Sequence, residues 1–285
     1  MLLENNLIGF HHIGIPVVDI KGAKNWYIHH LEFEVVSETT IDSDEGEIKY
    51  CFIRREDTQV KLYQPAGSEL EEVKGRSVGH IDHFVIDVLN IHKAVETLTQ
   101  NGVEYFPATP DGPVKVPALG EQGEIYVFLQ TYNGEKLGLN QKLGLSKNRR
   151  ENNLNGLSHV GIRVVEINPS EKFYQQLGFQ EFLKDRVPLG DVEIELSTWS
   201  YENFNLEFVK FHGADPQEVL ERQDGLIDHL AMQVKNISQA FDELRSSGLS
   251  TLEKEPVELP ILTNGVQYFT VRGPTKEKIQ FVQVL

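Results

Sequence analysis

The chain has 285 residues, 43 of them acidic and 27 basic, giving a formal net charge of -16 that repels phosphate backbones and sets nucleic acid aside as a ligand. No run of eighteen apolar residues is present, and the basic and apolar regions of a signal peptide are missing, so no membrane span is expected and the chain reads as cytoplasmic. Length and a hydrophobic content of 40 % suit two cores.

A first strand is read in His12-Ile13-Gly14-Ile15-Pro16-Val17-Val18-Asp19, where strand alternation puts His11 on the face opposite His12. Cys51 follows in Tyr50-Cys51-Phe52-Ile53 as a half-buried strand residue; as the single cysteine it permits neither an intrachain disulfide nor a thiolate metal site. Lys61 then lies between Val60 and Leu62, and a polar joint runs from Ala66 to Ser77. Gly79-His80-Ile81-Asp82-His83 opens a second unit. Its helix is marked by the stripe Ile91, Ala94, Val95 and Leu98, with Asn90 placed as N-cap and Gly102 at the end. A proline-rich stretch, Phe106 to Gly123, precedes a strand holding Gly138 between Leu137 and Leu139. The polar run from Gly144 to Gly156 reads as the link between halves.

The second half repeats this order. His159-Val160-Gly161-Ile162-Arg163-Val164-Val165-Glu166 returns 147 residues after its first copy, and Gly225-Leu226-Ile227-Asp228-His229 returns after 146. Asn236, the stripe Ile237, Ala240, Phe241 and Leu244, and Gly248 again mark a helix. Four modules result, roughly 8–65, 78–142, 157–212 and 225–285, with a second joint from Gly213 to Asp224. Each offers one polar position on its first strand and one on its last, flanked by apolar residues and so turned away from its helix. In the second half these are His159, Glu207, His229 and Gln280. Two imidazoles, a carboxylate and an amide oxygen can hold one divalent metal. The first-half positions are His12, Lys61, His83 and Gly138, a set that cannot bind a metal well.

The repeated openings at His12 and His159, the helix exit Phe173-Tyr174-Gln175-Gln176-Leu177-Gly178-Phe179 and its weaker copy Trp26 to Phe33 resemble the vicinal oxygen chelate superfamily, the glyoxalase, bleomycin-resistance and extradiol dioxygenase group. That resemblance implies an α+β fold of four βαβββ modules in two domains with cupped mixed sheets. With adjacent modules paired, the domains are residues 1–145, metal-free and retained for structure, substrate closure or dimerisation, and 146–285, holding the metal on His159, Glu207, His229 and Gln280. Pairing one with four gives instead His12, Lys61, His229 and Gln280, and pairing two with three gives His83, Gly138, His159 and Glu207. Adjacent pairing is adopted because it alone yields four ligands.

By the same resemblance the cofactor is one divalent ion, Zn, Ni, Co, Mn or Fe, taking two neighbouring oxygens of a small-molecule substrate, with Glu207 either both ligand and catalytic base or a ligand alone while water or another residue is the base. The expected activity is that of a glyoxalase- or epimerase-like lyase or isomerase. An extradiol-type dioxygenase and a non-catalytic binding protein are the alternatives, and a homodimer is left open. Arg163 shares the phase of His159 and reads as a salt-bridged residue or an anion contact; Trp199 and Tyr268 read as core or pocket residues. The stretch Lys254 to Gly265, with Pro256 and Pro260, reads as a lid. His29, His30, His80, His92 and His212 are left as ordinary surface or helix residues.

Overall fold

The computed structural model describes residues 1–120, 122–144, 154–189 and 192–285. Most of the expected link between halves, residues 145–153, lies outside them. The first module runs β1 (Leu7–Pro16), α1 (Ile20–Leu31), β2 (Glu34–Ser43), β3 (Gly46–Arg55) and β4 (Thr58–Gln64), and the polar joint after it holds α2 (Gly67–Lys74). The second comprises β5 (Ile81–Val88), α3 (Ile91–Gln100), β6 (Val114–Val116), β7 (Glu124–Gln130) and β8 (Lys136–Lys142). The third is β9 (Leu154–Arg163), α4 (Ile167–Gln176), β10 (Gln180–Leu189), β11 (Val192–Tyr201) and β12 (Phe204–Phe211), followed in the next joint by α5 (Gln217–Leu220). The fourth is β13 (His229–Val234), α6 (Ile237–Ser246), β14 (Val257–Leu259), β15 (Val266–Arg272) and β16 (Lys278–Val284). Every module is thus βαβββ.

Local chemistry sets these boundaries. The Asn90 and Asn236 side chains accept hydrogen bonds from the Lys93 and Gln239 amides and so cap α3 and α6. Gly102 and Gly248 follow the two helices in left-handed conformation, at φ 85° and 93°, where a β-carbon would be strained. The stripes Ile91, Ala94, Val95, Leu98 and Ile237, Ala240, Phe241, Leu244 are buried as expected. One apolar cluster runs through all four modules, joining Ile13 and Leu62 to Phe84, Phe208, Phe269 and Phe281. Cys51 belongs to it and is fully buried rather than half-buried. No described helix is long and apolar enough to cross a membrane.

The strands form two curled mixed sheets, in the orders β14-β15-β16-β13-β1-β4-β3-β2 and β10-β11-β12-β9-β5-β8-β7-β6. Modules one and four therefore share one sheet, and modules two and three the other. This corrects the adjacent pairing: 1–145 and 146–285 are repeats in sequence, but neither half closes a sheet. Antiparallel pairing of β1 with β13 (Gly14 opposite His229) and of β5 with β9 (His83 opposite Gly161) makes the two joins.

The physical cause of the exchange lies where the inter-module joints cross. A β-carbon on Gly79 would stand 2.3 Å from the Gly225 nitrogen, so two glycines let the backbones touch. The Leu226 amide donates to Ser77 O (2.9 Å) and the His80 amide to Gln223 O (3.2 Å) across this crossing. Arg76 Nη1 donates to Asp228 Oδ1 at 2.7 Å, and Arg222 Nη1 to Asp82 Oδ2 at 2.8 Å, so the joint after module one holds the opening of module four and the joint after module three holds that of module two. Both carboxylates are buried and both arginines partly so, and removing one partner of such a pair is far more damaging than at the surface.

Candidate metal centre

Each last strand places its polar position as the alternation requires. Val60 and Leu62, Leu206 and Phe208, Leu137 and Leu139, and Ile279 and Phe281 are all buried, which turns Lys61, Glu207, Gly138 and Gln280 to the opposite, concave face. Because modules pair two with three, the concave face of the second sheet collects His83 from β5, His159 from β9 and Glu207 from β12. One ligand atom from each lies within 4.8 Å of the others, and His159 Nε2 stands 3.4 Å from Glu207 Oε2. Gly161 explains the approach: it faces His83 on one side and Glu207 on the other, and a β-carbon there would meet the His83 ring at 2.1 Å.

The orientation of His83 is fixed from behind. Its Nδ1 lies 2.9 Å from Asp82 Oδ1, and Asp82 also accepts from Lys136 Nζ at 2.7 Å and from Arg222. Burial would raise the Asp82 pKa, but the hydrogen bond with His83 and the positive charge of Lys136 and Arg222 outweigh it and hold the carboxyl well below its usual range. Burial lowers the His83 pKa, against the pull of Asp82, so the ring is neutral. A neutral ring donating Nδ1–H to Asp82 leaves the Nε2 lone pair for the cup, the arrangement of a metal-binding histidine with its carboxylate support. Two imidazoles and a carboxylate of this kind fit a divalent first-row ion. Asp82→Asn is expected to weaken metal affinity by about 10–100-fold, read by competition with a chromophoric chelator; unchanged affinity would mean that the carboxylate does not support the site.

The fourth position of this cup is empty of side chain. A β-carbon on Gly138 would meet Val85 at 2.7 Å and Phe128 at 3.2 Å, so any side chain would need its neighbours to shift. The three donors open onto a cavity of about 330 Å³ with a mainly apolar wall that includes Val187, Ile194, Leu196, Val209 and Phe211. Val116 and Leu119, from the proline-rich stretch between α3 and β7, complete that wall. Arg163 lines it as well, stacked 4.3 Å from the Phe211 ring and paired with Glu218 at 3.2 Å, so it is both a pocket residue and a salt-bridged one.

The other sheet gathers His12, Lys61, His229 and Gln280. The four residues expected to share one ion are thus split, with His159 and Glu207 in one cup and His229 and Gln280 in the other. His229 and Gln280 are corrected as ligands on geometry, because their module pairs with the first and not the third. The chemistry of that cup agrees. His229 Nδ1 is 2.8 Å from Asp228 Oδ2, His12 Nε2 is 3.3 Å from His229 Nε2, and His11 Nδ1 is 2.6 Å from His12 Nδ1. Neutral rings donating in turn toward Asp228 use both nitrogens of His12 and His229, leaving no lone pair for a metal. Lys61 Nζ replaces the carboxylate and donates to Gln280 Oε1 at 3.4 Å.

Further residues depart from expectation. A β-bulge between Phe10 and His12 breaks the alternation, so the His11 ring lies against His12 instead of across the sheet. His80 is buried, beside the crossing. Trp199 is a core residue whose indole N–H donates to Ser197 Oγ at 2.9 Å, and Tyr268 packs beside Phe52 and Val282 in the cup of modules one and four. The Lys254 to Gly265 stretch carries β14 and plants Ile261 in that same cluster, so it covers the cup of modules one and four. The adjacent pairing leaves His83 out of the ligand set, and only the pairing of modules two with three includes it, although Asp82-His83 and Asp228-His229 carry the same signal.

Comparison with known proteins agrees with this architecture. A family model described as the glyoxalase/bleomycin resistance protein/dioxygenase superfamily matches residues 9–114, and a second of the same description matches residues 158–265. The chain is a tandem member of that superfamily. Each superfamily match covers one module and runs into the opening strand and helix of the next, although the two modules lie in different sheets. The uncharacterized Bacillus subtilis protein YwbC is 30 % identical over 132 residues, covering 45 % of this chain and 96 % of its own length. YwkD of the same organism, also uncharacterized, is 27 % identical over 111 residues, covering 39 % of this chain and 82 % of YwkD. Glyoxalase I from Zea mays superposes with a TM-score of 0.70 at 16 % identity, covering 96 % of this chain and 92 % of that one. A putative dioxygenase from Bacillus subtilis gives 0.64 at 14 % identity, covering 98 % and 86 %. At these identities the solved structures establish the shared fold.

Proposed function

We propose that the protein is a metal-dependent enzyme of the dioxygenase type, acting on a small, largely apolar substrate that presents two neighbouring oxygens. The observation that supports this is the donor set: two histidines and one carboxylate, His83, His159 and Glu207, with a bare glycine, Gly138, at the fourth place. Such a triad with open positions suits non-haem Fe(II) oxygen chemistry, and Mn(II) shares the oxygen-rich preference. A bound ion would supply a site where a chelating diol and dioxygen can be held together. The apolar wall of β10, β11 and β12 would take the carbon body and exclude water, and Glu207 would accept a proton from the substrate hydroxyl. The expected result is uptake of one dioxygen per catechol opened by protein reconstituted anaerobically with Fe(II), followed on an oxygen electrode. No uptake with either Fe(II) or Mn(II) across alkyl- and aryl-substituted catechols would sink this reading.

A second reading is the glyoxalase-like isomerase or lyase. It is favoured by Glu207 being half-buried at the cavity, 3.4 Å from His159 Nε2, hence placed to move a proton beside a carbonyl. Anaerobic turnover of a hemithioacetal would select it.

A further inference from the structure

The second cup holds a buried cation that makes no ion pair among the described residues. This is Lys61, only 6 % exposed. Its one hydrogen bond is the long one to Gln280, and its ammonium stands 5.5 Å from the Tyr63 ring centroid. Asp228 is close, but it is committed to His229, Arg76 and Lys278. Glu69 is exposed on α2 at the rim. A buried charge without a partner is costly, so its retention calls for a counter-charge.

The surroundings supply further neutral donors. Tyr63 lies two residues from Lys61 on the same strand face, and Tyr50 pairs with it across β3 and β4, their rings stacked at 6.4 Å. Both are partly exposed. Gln280 gives its amide oxygen to Lys61, which leaves its NH2 free to donate. Phe52, Ala231 and Val282 line the base. An ammonium, an amide N–H and phenol hydroxyls over an apolar floor match the acceptor oxygens and short carbon body of a carboxylate.

We propose that this second cup is a metal-free binding site for a small monocarboxylate, in which the Lys61 ammonium stands where a divalent ion would stand in the other cup, with Gln280 and Tyr63 as additional donors. Burial pushes the Lys61 pKa down to about 8, against the pull of Asp228, which still leaves most of it charged at neutral pH. The site is independent of the activity assigned to the other cup.

Trifluoroacetate, observed by 19F NMR with metal-stripped full-length protein, tests it. The expected result is saturable line broadening that acetate reverses and equal chloride does not. It persists in His83→Ala and is lost in Lys61→Met. Methionine keeps the stem volume and removes an unpaired charge, so circular dichroism should show a folded variant with an unchanged or higher Tm; Lys61→Gln serves if it does not fold. Absence of broadening, displacement by chloride, or broadening that survives both Lys61 substitutions overturns the proposal.

Discussion

Replacing His83 with alanine is expected to abolish metal binding, whereas replacing His229 leaves it intact. His83 lies in the cup with His159 and Glu207, all within 4.8 Å, while His229 is turned toward His12 in the other sheet. A site with three protein ligands that loses one should lose more than the roughly 10–100-fold in affinity that follows removal of an outer supporting group. Elemental analysis after dialysis against a fixed low metal concentration should therefore find about one ion per chain in wild type, His229→Ala and Gln280→Ala. It should find almost none in His83→Ala, His159→Ala and Glu207→Ala. Metal loss from His229→Ala with retention in His83→Ala would restore the adjacent pairing and refute the sheet order.

Acid is expected to destabilise the metal-free protein steeply between pH 6.5 and 4. Burial lowers the pKa of His229, with Lys61 adding to it, from 6.5 to about 4. Burial and Lys61 lower His11 likewise to about 4, and His12 is held well below its ordinary value for the same reasons. Each of these bases takes up a proton in the unfolded chain before it does so in the fold. The stability they contribute is therefore present above pH 6.5 and is lost as pH falls through the folded values. One histidine lowered to about 4 removes roughly 3 kcal/mol by pH 4, at about 1.4 kcal/mol per unit. The rings touch one another, so their effects do not add. Urea denaturation midpoints at pH 7.5, 6, 5 and 4 measure it, and a flat profile would mean that the three imidazoles take up protons in the fold as they do in the unfolded chain.

Much of the fold was legible in residues. The two copies of His-x-Gly-Ile and of Ile-Asp-His, the asparagine caps and the apolar stripes fixed four modules and their helices. Pro-rich composition marked the stretches that cover the cups. Partner choice was not legible, because all four first strands carry the same apolar alternation and an edge of that kind pairs equally well with any of the others. What decided it was a backbone contact at Gly79 and Gly225 and two arginines paired with buried aspartates, features that have no periodicity. Gly14 and Gly161 do record that an imidazole from another strand lies over them, without naming whose. The half of the site built from His159 and Glu207 was found for this reason, since both belong to one module, whereas its third donor came from a module across the repeat boundary. His11 escaped because a bulge carries no compositional mark.

The crossing has an evolutionary corollary. A chain with one half alone would have to exchange modules with a twin, and symmetry would then write every substitution into both cups at once. Covalent fusion removes that constraint, since Lys61 and Glu207 occupy equivalent strands but are encoded separately. Each bowl can therefore keep or lose its carboxylate without the other following.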